Sequence, residues 1–165
     1  MAVTHASVSK ATGISRSTLY RHWPKLKELR NDVFLRAATS PNFAPTTHGP
    51  LRADLTWAMG KLQTALNETA WGQVVPQVVS AAATDAQARA VIEGFMKDRI
   101  EGLESVFAAA KDRGEVSKDK NVRQLIEIAI SVPYFRKLIA GLPLDQDWLK
   151  EHVEFILRLA KSDDS

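Results

Sequence analysis

Between residues 40 and 50 the chain reads Ser40-Pro41-Asn42-Phe43-Ala44-Pro45-Thr46-Thr47-His48-Gly49-Pro50, with three prolines and one glycine in eleven residues. Proline lacks a backbone N–H and fixes its own φ, so neither a helix interior nor a central strand runs through such a segment. The break predicts a head over residues 1–40, a linker, and a body over residues 51–161. Charge divides at the same place. Residues 1–40 hold seven basic side chains (Lys10, Arg16, Arg21, Lys25, Lys27, Arg30 and Arg36) against Glu28 and Asp32, while the remainder holds 15 basic against 17 acidic. A basic head on a slightly acidic body is the asymmetry expected where one end meets a polyanion. A solvated basic surface gives the same count, so charge alone does not decide.

Periodicity beyond the linker is helical throughout. Leu51, Leu55, Ala58, Met59, Leu62 and Leu66 recur at helical spacing. Trp71 to Ala83 is apolar almost all round and predicts a buried helix, with Pro76 in its first turns. Ala88, Val91, Ile92, Phe95, Arg99, Leu103, Val106, Phe107 and Ala110 form one stripe on a long helix from about residue 86 to 113, closed by Gly114. Val122, Leu125, Ile126, Ala129 and Ile130 begin another, which Pro133 kinks or restarts before Ala140; Gly141-Leu142-Pro143 ends it, and a last helix spans about Asp145 to Lys161. No strand alternation is visible, so the predicted fold class is all-α: a short N-terminal helix-turn-helix followed by a helical bundle.

The hydrophobic fraction of 45% and charged fraction of 25% are those of an ordinary globular protein. With no cysteine, disulfides, thiolate nucleophiles and Cys-ligated zinc are excluded. No apolar run approaches the roughly 18 residues of a membrane span, and Met1-Ala2-Val3-Thr4-His5 shows no signal-peptide pattern. A cytoplasmic protein without membrane attachment is expected.

The head carries the most informative local pattern. Thr4 suits the cap of a helix whose inward residues, Val8 and Ala11, let a second helix cross closely. Gly13 suits the left-handed turn that follows, Ile14 plugs it, and Ser15 caps the next helix. There Leu19 and Trp23 share one face, while Arg16, Ser17, Tyr20 and Arg21 lie on another. A major groove about 12 Å wide accepts one helix presenting such groups to base edges and phosphates. A helical hairpin with a solvated outer face fits the same spacing.

Thr18-Leu19-Tyr20-Arg21-His22-Trp23-Pro24, preceded by Val8-Ser9-Lys10-Ala11-Thr12-Gly13-Ile14-Ser15, resembles the helix-turn-helix signature of TetR-family regulators. The likeness is close over residues 4–34 and looser through the body, above all in Val132–Ile139 and Gly141–Asp145. It implies that Arg16, Ser17, Thr18 and Arg21 contact bases and nearby backbone, that Tyr20 and His22 contact phosphates, and that Thr4 opens the helix leaning on the backbone. Two departures stand out. The family usually has a lysine where this chain has Leu26, flanked by Lys25 and Lys27, either of which can reach a phosphate instead. Family members also place a further helix before the position of Thr4, so the head is expected to be incomplete, with Val8, Leu19 and Trp23 partly exposed.

The last helix has more apolar surface than a monomer needs. Leu149, Val153, Ile156 and Ala160 form one stripe, and Trp148, His152, Phe155 and Leu159 a second. A helix lying on a core needs a single face of about 100°, so the second stripe predicts a homodimer seam shared with the helix over Val132–Ala140, in keeping with the resemblance; burial within a larger monomer is the alternative. Candidates for a pocket holding a small, largely apolar effector are Trp57, Met59, Trp71, Phe95, Met96, Arg99, Phe107 and Tyr134. Arg99 lies on an apolar stripe, where a lone charge is costly. Pairing with Glu127 or another acid, snorkelling to water, or holding a ligand carboxylate would each answer that cost.

The four histidines are widely separated and form no metal-ligand pair, and no G-x-S-x-G elbow, P-loop or dinucleotide fingerprint occurs. No metal, no cofactor and no enzymatic activity are expected. The leading expectation is a homodimeric, ligand-responsive repressor that binds a double-stranded DNA operator. The alternative is a helical small-molecule-binding or dimerisation protein whose incomplete head no longer engages DNA.

Overall fold

The computed structural model describes residues 3–38 and 49–161, and residues 39–48, most of the predicted linker, lie outside them. The described residues form α1 (His5–Thr12), α2 (Arg16–His22), α3 (Leu26–Ala38), α4 (Leu51–Glu68), α5 (Ala70–Ala82), α6 (Ala86–Asp112), α7 (Val122–Tyr134), a π-helical turn (Phe135–Ala140) and α8 (Gln146–Ala160). No strand occurs among them. The all-α expectation holds, and the helices of the body begin and end within a few residues of the predicted positions.

Local chemistry sets most of the boundaries. Asn121 and Asp145 accept the backbone N–H of Gln124 and Trp148 and so cap α7 and α8. Helix α5 departs from its reading as buried all round. Its inward residues Trp71, Val74, Val75, Val78 and Ala82 follow a single helical face, which leaves Gln73, Pro76, Val79 and Ser80 exposed.

Pro133 does not restart the helix: α7 contains it and continues without a gap into the π-helical turn. Proline at position 133 has no N–H for the carbonyl of Ala129, one turn back. The Nε2–H of His152 on α8 donates to that carbonyl instead, at 3.0 Å. The turn then closes on Gly141 (φ 63), whose N–H returns to the carbonyl of Arg136. Only glycine adopts this left-handed conformation without penalty.

The chain divides into two compact units. One comprises the described part of residues 1–39 with Gln73–Phe95, and the other Gly49–Gly72 with Met96–Lys161; α5 and α6 contribute to both. In the first unit Leu19, Leu29, Phe34, Val74, Val75, Val78, Ala88 and Phe95 are buried. In the second, α4, α7 and α8 pack on one another around Leu55, Met59, Leu103, Phe107, Ile126, Leu149, Val153 and Ile156. The carbonyl of Leu144 accepts from Gln63 Nε2 (2.8 Å) and Asn67 Nδ2 (2.9 Å), fixing the entry to α8 against α4.

Candidate nucleic-acid interface

Thr4 builds the start of α1 as a reciprocal cap: its hydroxyl accepts from Ser7 N at 3.0 Å, and Ser7 Oγ accepts from Thr4 N at 2.9 Å. Gly13 ends α1 in the left-handed conformation, φ 76, with its N–H on the carbonyl of Ser9. Two residues later Ser15 caps α2. Its hydroxyl accepts from Thr18 N at 3.1 Å and lies 2.9 Å from the hydroxyls of both Ser17 and Thr18. The turn and both caps stand where the residue types predict.

The two faces of α2 separate cleanly. Leu19 is 1% exposed, whereas Arg16, Ser17, Tyr20, Arg21 and His22 are all exposed and Thr18 is half-buried. Val8 and Trp23 are partly buried, but Leu19 is not left open as expected. Leu19 is buried within a unit in which α1 packs directly against α2 and to which Gln73–Phe95 also belongs.

Lys25 is exposed next to this face. Lys27 is exposed as well, but its Nζ lies 3.3 Å from Asp85, which sits between α5 and α6. Burial raises the Asp85 pKa, yet the Gln87 N–H and Lys27 outweigh it and hold the carboxyl below its ordinary value. Of the two candidates to replace a lysine at position 26, Lys27 therefore already has a partner. His5 escaped the sequence reading altogether. It is buried, its ring is stacked on Tyr20 at 4.1 Å, and its Nε2–H donates to the carbonyl of Trp23 at 2.7 Å. A polar residue on the first turn of a capped helix gives no such hint in sequence.

In the second unit Met59, Trp71, Arg99 and Phe107 are buried, and Met96 and Tyr134 are partly so. Trp57 faces solvent: Leu55, Ala58, Met59 and Leu62 take the inward positions of α4 and place residue 57 outside, where Lys61 Nζ stands 5.5 Å from its ring centroid. Phe95 is buried in the first unit. The Trp71 indole N–H donates to the Tyr134 hydroxyl at 3.1 Å. Burial pushes the Tyr134 pKa up to about 12, and Arg99 acts on the same hydroxyl. Burial draws the Arg99 guanidinium down to about 10, while Tyr134 and Asp98 favour its charged form. Glu127, proposed as its partner, pairs with Arg123 at 3.0 Å.

On α8, Leu149, Val153, Ile156 and Ala160 are buried as predicted. The second stripe is mixed. Phe155 is 43% exposed, Trp148 and Leu159 are half-buried, and His152 turns inward to Ala129 with its ring stacked on Trp148 at 4.9 Å. Nearby on the chain, Phe135, Ile139 and Leu142 are exposed.

Residues 45–156 match the family model described as the tetracyclin repressor-like C-terminal domain. This chain belongs to the TetR family of transcription regulators. Among solved structures, the TetR family transcription regulator SCO0332 aligns with a TM-score of 0.69 and 25% identity, over 96% of this chain and 87% of that one. GusR of Salmonella enterica shares the fold, with a TM-score of 0.69 and 15% identity over 98% of this chain and 86% of its own. No curated protein matches the sequence. TetR membership places the chain among transcription regulators. No helix among the described residues is long and apolar enough to cross a membrane.

Proposed function

We propose that this TetR-family chain is a ligand-responsive repressor that binds an operator duplex as a homodimer in the cytoplasm. The observation that carries the DNA reading is the division of α2: Leu19 is 1% exposed while Arg16, Ser17, Tyr20, Arg21 and His22 face outward. In this reading Arg16, Ser17, Thr18 and Arg21 contact bases and adjoining backbone. Tyr20, His22 and Lys25 contact phosphates, Lys27 does so by leaving Asp85, and Thr4 presents the start of α1. Arginine recognises guanine through O6 and N7 together, whereas phosphate contacts position the protein without reading sequence.

A seam formed by Trp148, Phe155 and Leu159 of α8, with His152 beneath Trp148 and Phe135 and Ile139 alongside, supports two-fold pairing, since these apolar side chains otherwise meet water. A dimer supplies two α2 helices, and successive major grooves on one side of a duplex require them about 34–36 Å apart. A largely apolar effector among Met59, Trp71, Met96, Arg99, Phe107 and Tyr134 fits the make-up of the body. A ligand preferring one separation of the reading helices releases the operator.

An electrophoretic shift against the region upstream of the chain's own gene tests this reading. Arg21→Ala is expected to relax sequence preference by about 1–3 kcal/mol at one base pair, and Tyr20→Ala to weaken binding on all sequences alike. The opposite pattern would exchange their roles.

A further inference from the structure

We propose that His5 is a positioning residue for DNA binding, a clamp that holds the far end of α2 and the ring of Tyr20 in their working arrangement. The proposal rests on the reading of Tyr20 as a phosphate contact. Helix α2 has only seven residues, too few to be stable by its own hydrogen bonds. Its N-terminus is tied by Ser15, and its far end needs an equivalent. Trp23 stands there as the capping residue, in a non-helical conformation (φ −131, ψ 81). Its carbonyl is one of those the helix leaves without an internal donor. The His5 Nε2–H fills that need at 2.7 Å, reaching across 18 residues of chain.

The same imidazole lies nearly parallel to Tyr20, with an interplanar angle of 19° and centroids 4.1 Å apart. Tyr20 is 52% exposed, so it is open to a partner yet braced by a ring that is itself 5% exposed. An exposed tyrosine without such support samples several rotamers and loses that freedom on binding. His5 removes part of that cost in advance. It touches no DNA in this account and acts through Tyr20 and Trp23.

Three substitutions separate its two contacts. His5→Phe keeps a ring against Tyr20 without the donor, His5→Gln keeps a donor without the ring, and His5→Ala loses both. Binding is read by fluorescence anisotropy on a mixed-sequence duplex, which needs no knowledge of the operator because phosphate contacts are sequence-independent. His5→Ala is expected to weaken binding about tenfold, with each partial variant between. In a Tyr20→Ala background the same change should have a markedly smaller effect, because its route through the ring is gone. An undiminished loss there, or unchanged affinity in His5→Ala, overturns the proposal.

Hydrogen exchange on the chain without DNA supplies an independent arm. His5→Ala should speed exchange of the α2 amides while those of α4, α7 and α8 keep their protection. Unchanged exchange in α2 overturns the clamp whether or not DNA binds. If the unsubstituted chain binds no duplex at all, the DNA reading fails and the role of His5 in positioning Tyr20 for phosphate fails with it, while exchange still decides its hold on α2.

Discussion

Pro133 and His152 stand 19 residues apart, and one carbonyl joins them. Proline leaves the Ala129 oxygen without its helical donor, and the imidazole takes the place at 3.0 Å. His152→Ala should destabilise the fold by about 1–3 kcal/mol, and part of that loss should return when Pro133→Ala restores an N–H in the same chain; urea unfolding of the four proteins measures the coupling. Burial, aided by the nearby Arg136, lowers the His152 pKa against the opposing Ala129 hydrogen bond. A folded pKa below the unfolded value of 6.5 means that unfolding takes up a proton. Stability is therefore full above about pH 6.5 and falls as pH drops toward the lowered folded value. Unfolding midpoints from pH 7.5 down to pH 5 should show that loss, and His152→Gln should flatten it. Gly72 is the other residue with no latitude. A Cβ there would run into the Leu66 carbonyl, so Gly72→Ala should cost about 1–3 kcal/mol or more in the same assay.

Among the elements, α2 has the smallest reserve of its own. Ser15 caps it and also holds the hydroxyls of Ser17 and Thr18. Ser15→Ala should reduce stability by about 1 kcal/mol, seen as a lower thermal midpoint. Elements of this kind are legible in sequence: Thr4, Gly13 and Ser15 announce their helix ends, and the inward apolar stripes of α4, α6 and α8 fall where their spacing puts them. Two features were not legible, for a common reason. The one-sided burial of α5 depends on which neighbours cover it, and an apolar run does not record that. The roles of His5 and His152 depend on carbonyls brought near by folding, 18 and 23 residues away. Trp57, a pocket candidate in sequence, stands on the outer side of α4 because Leu55, Ala58 and Met59 define its inner face.

At the scale of the molecule, the second apolar face of α8 bears on assembly. With Phe155 at 43% and Ile139 at 75% exposure, an unpaired protomer would present both to water. Ile139→Glu with Phe155→Glu should convert a dimer to a monomer in sedimentation velocity while leaving the helical circular dichroism intact, since neither side chain is in the protomer core. A sedimentation coefficient that is monomeric before substitution would remove the seam from the account. DNA binding through the basic outer face of α2 must respond to salt. Anisotropy titration of a duplex from the chain's own upstream region should show affinity falling steeply and linearly in log–log form as salt rises, as counterions are released from several neutralised phosphates, with the slope reduced when Arg16 and Arg21 are both replaced by alanine. Absence of binding at low salt, or a slope that the double substitution leaves unchanged, would contradict it.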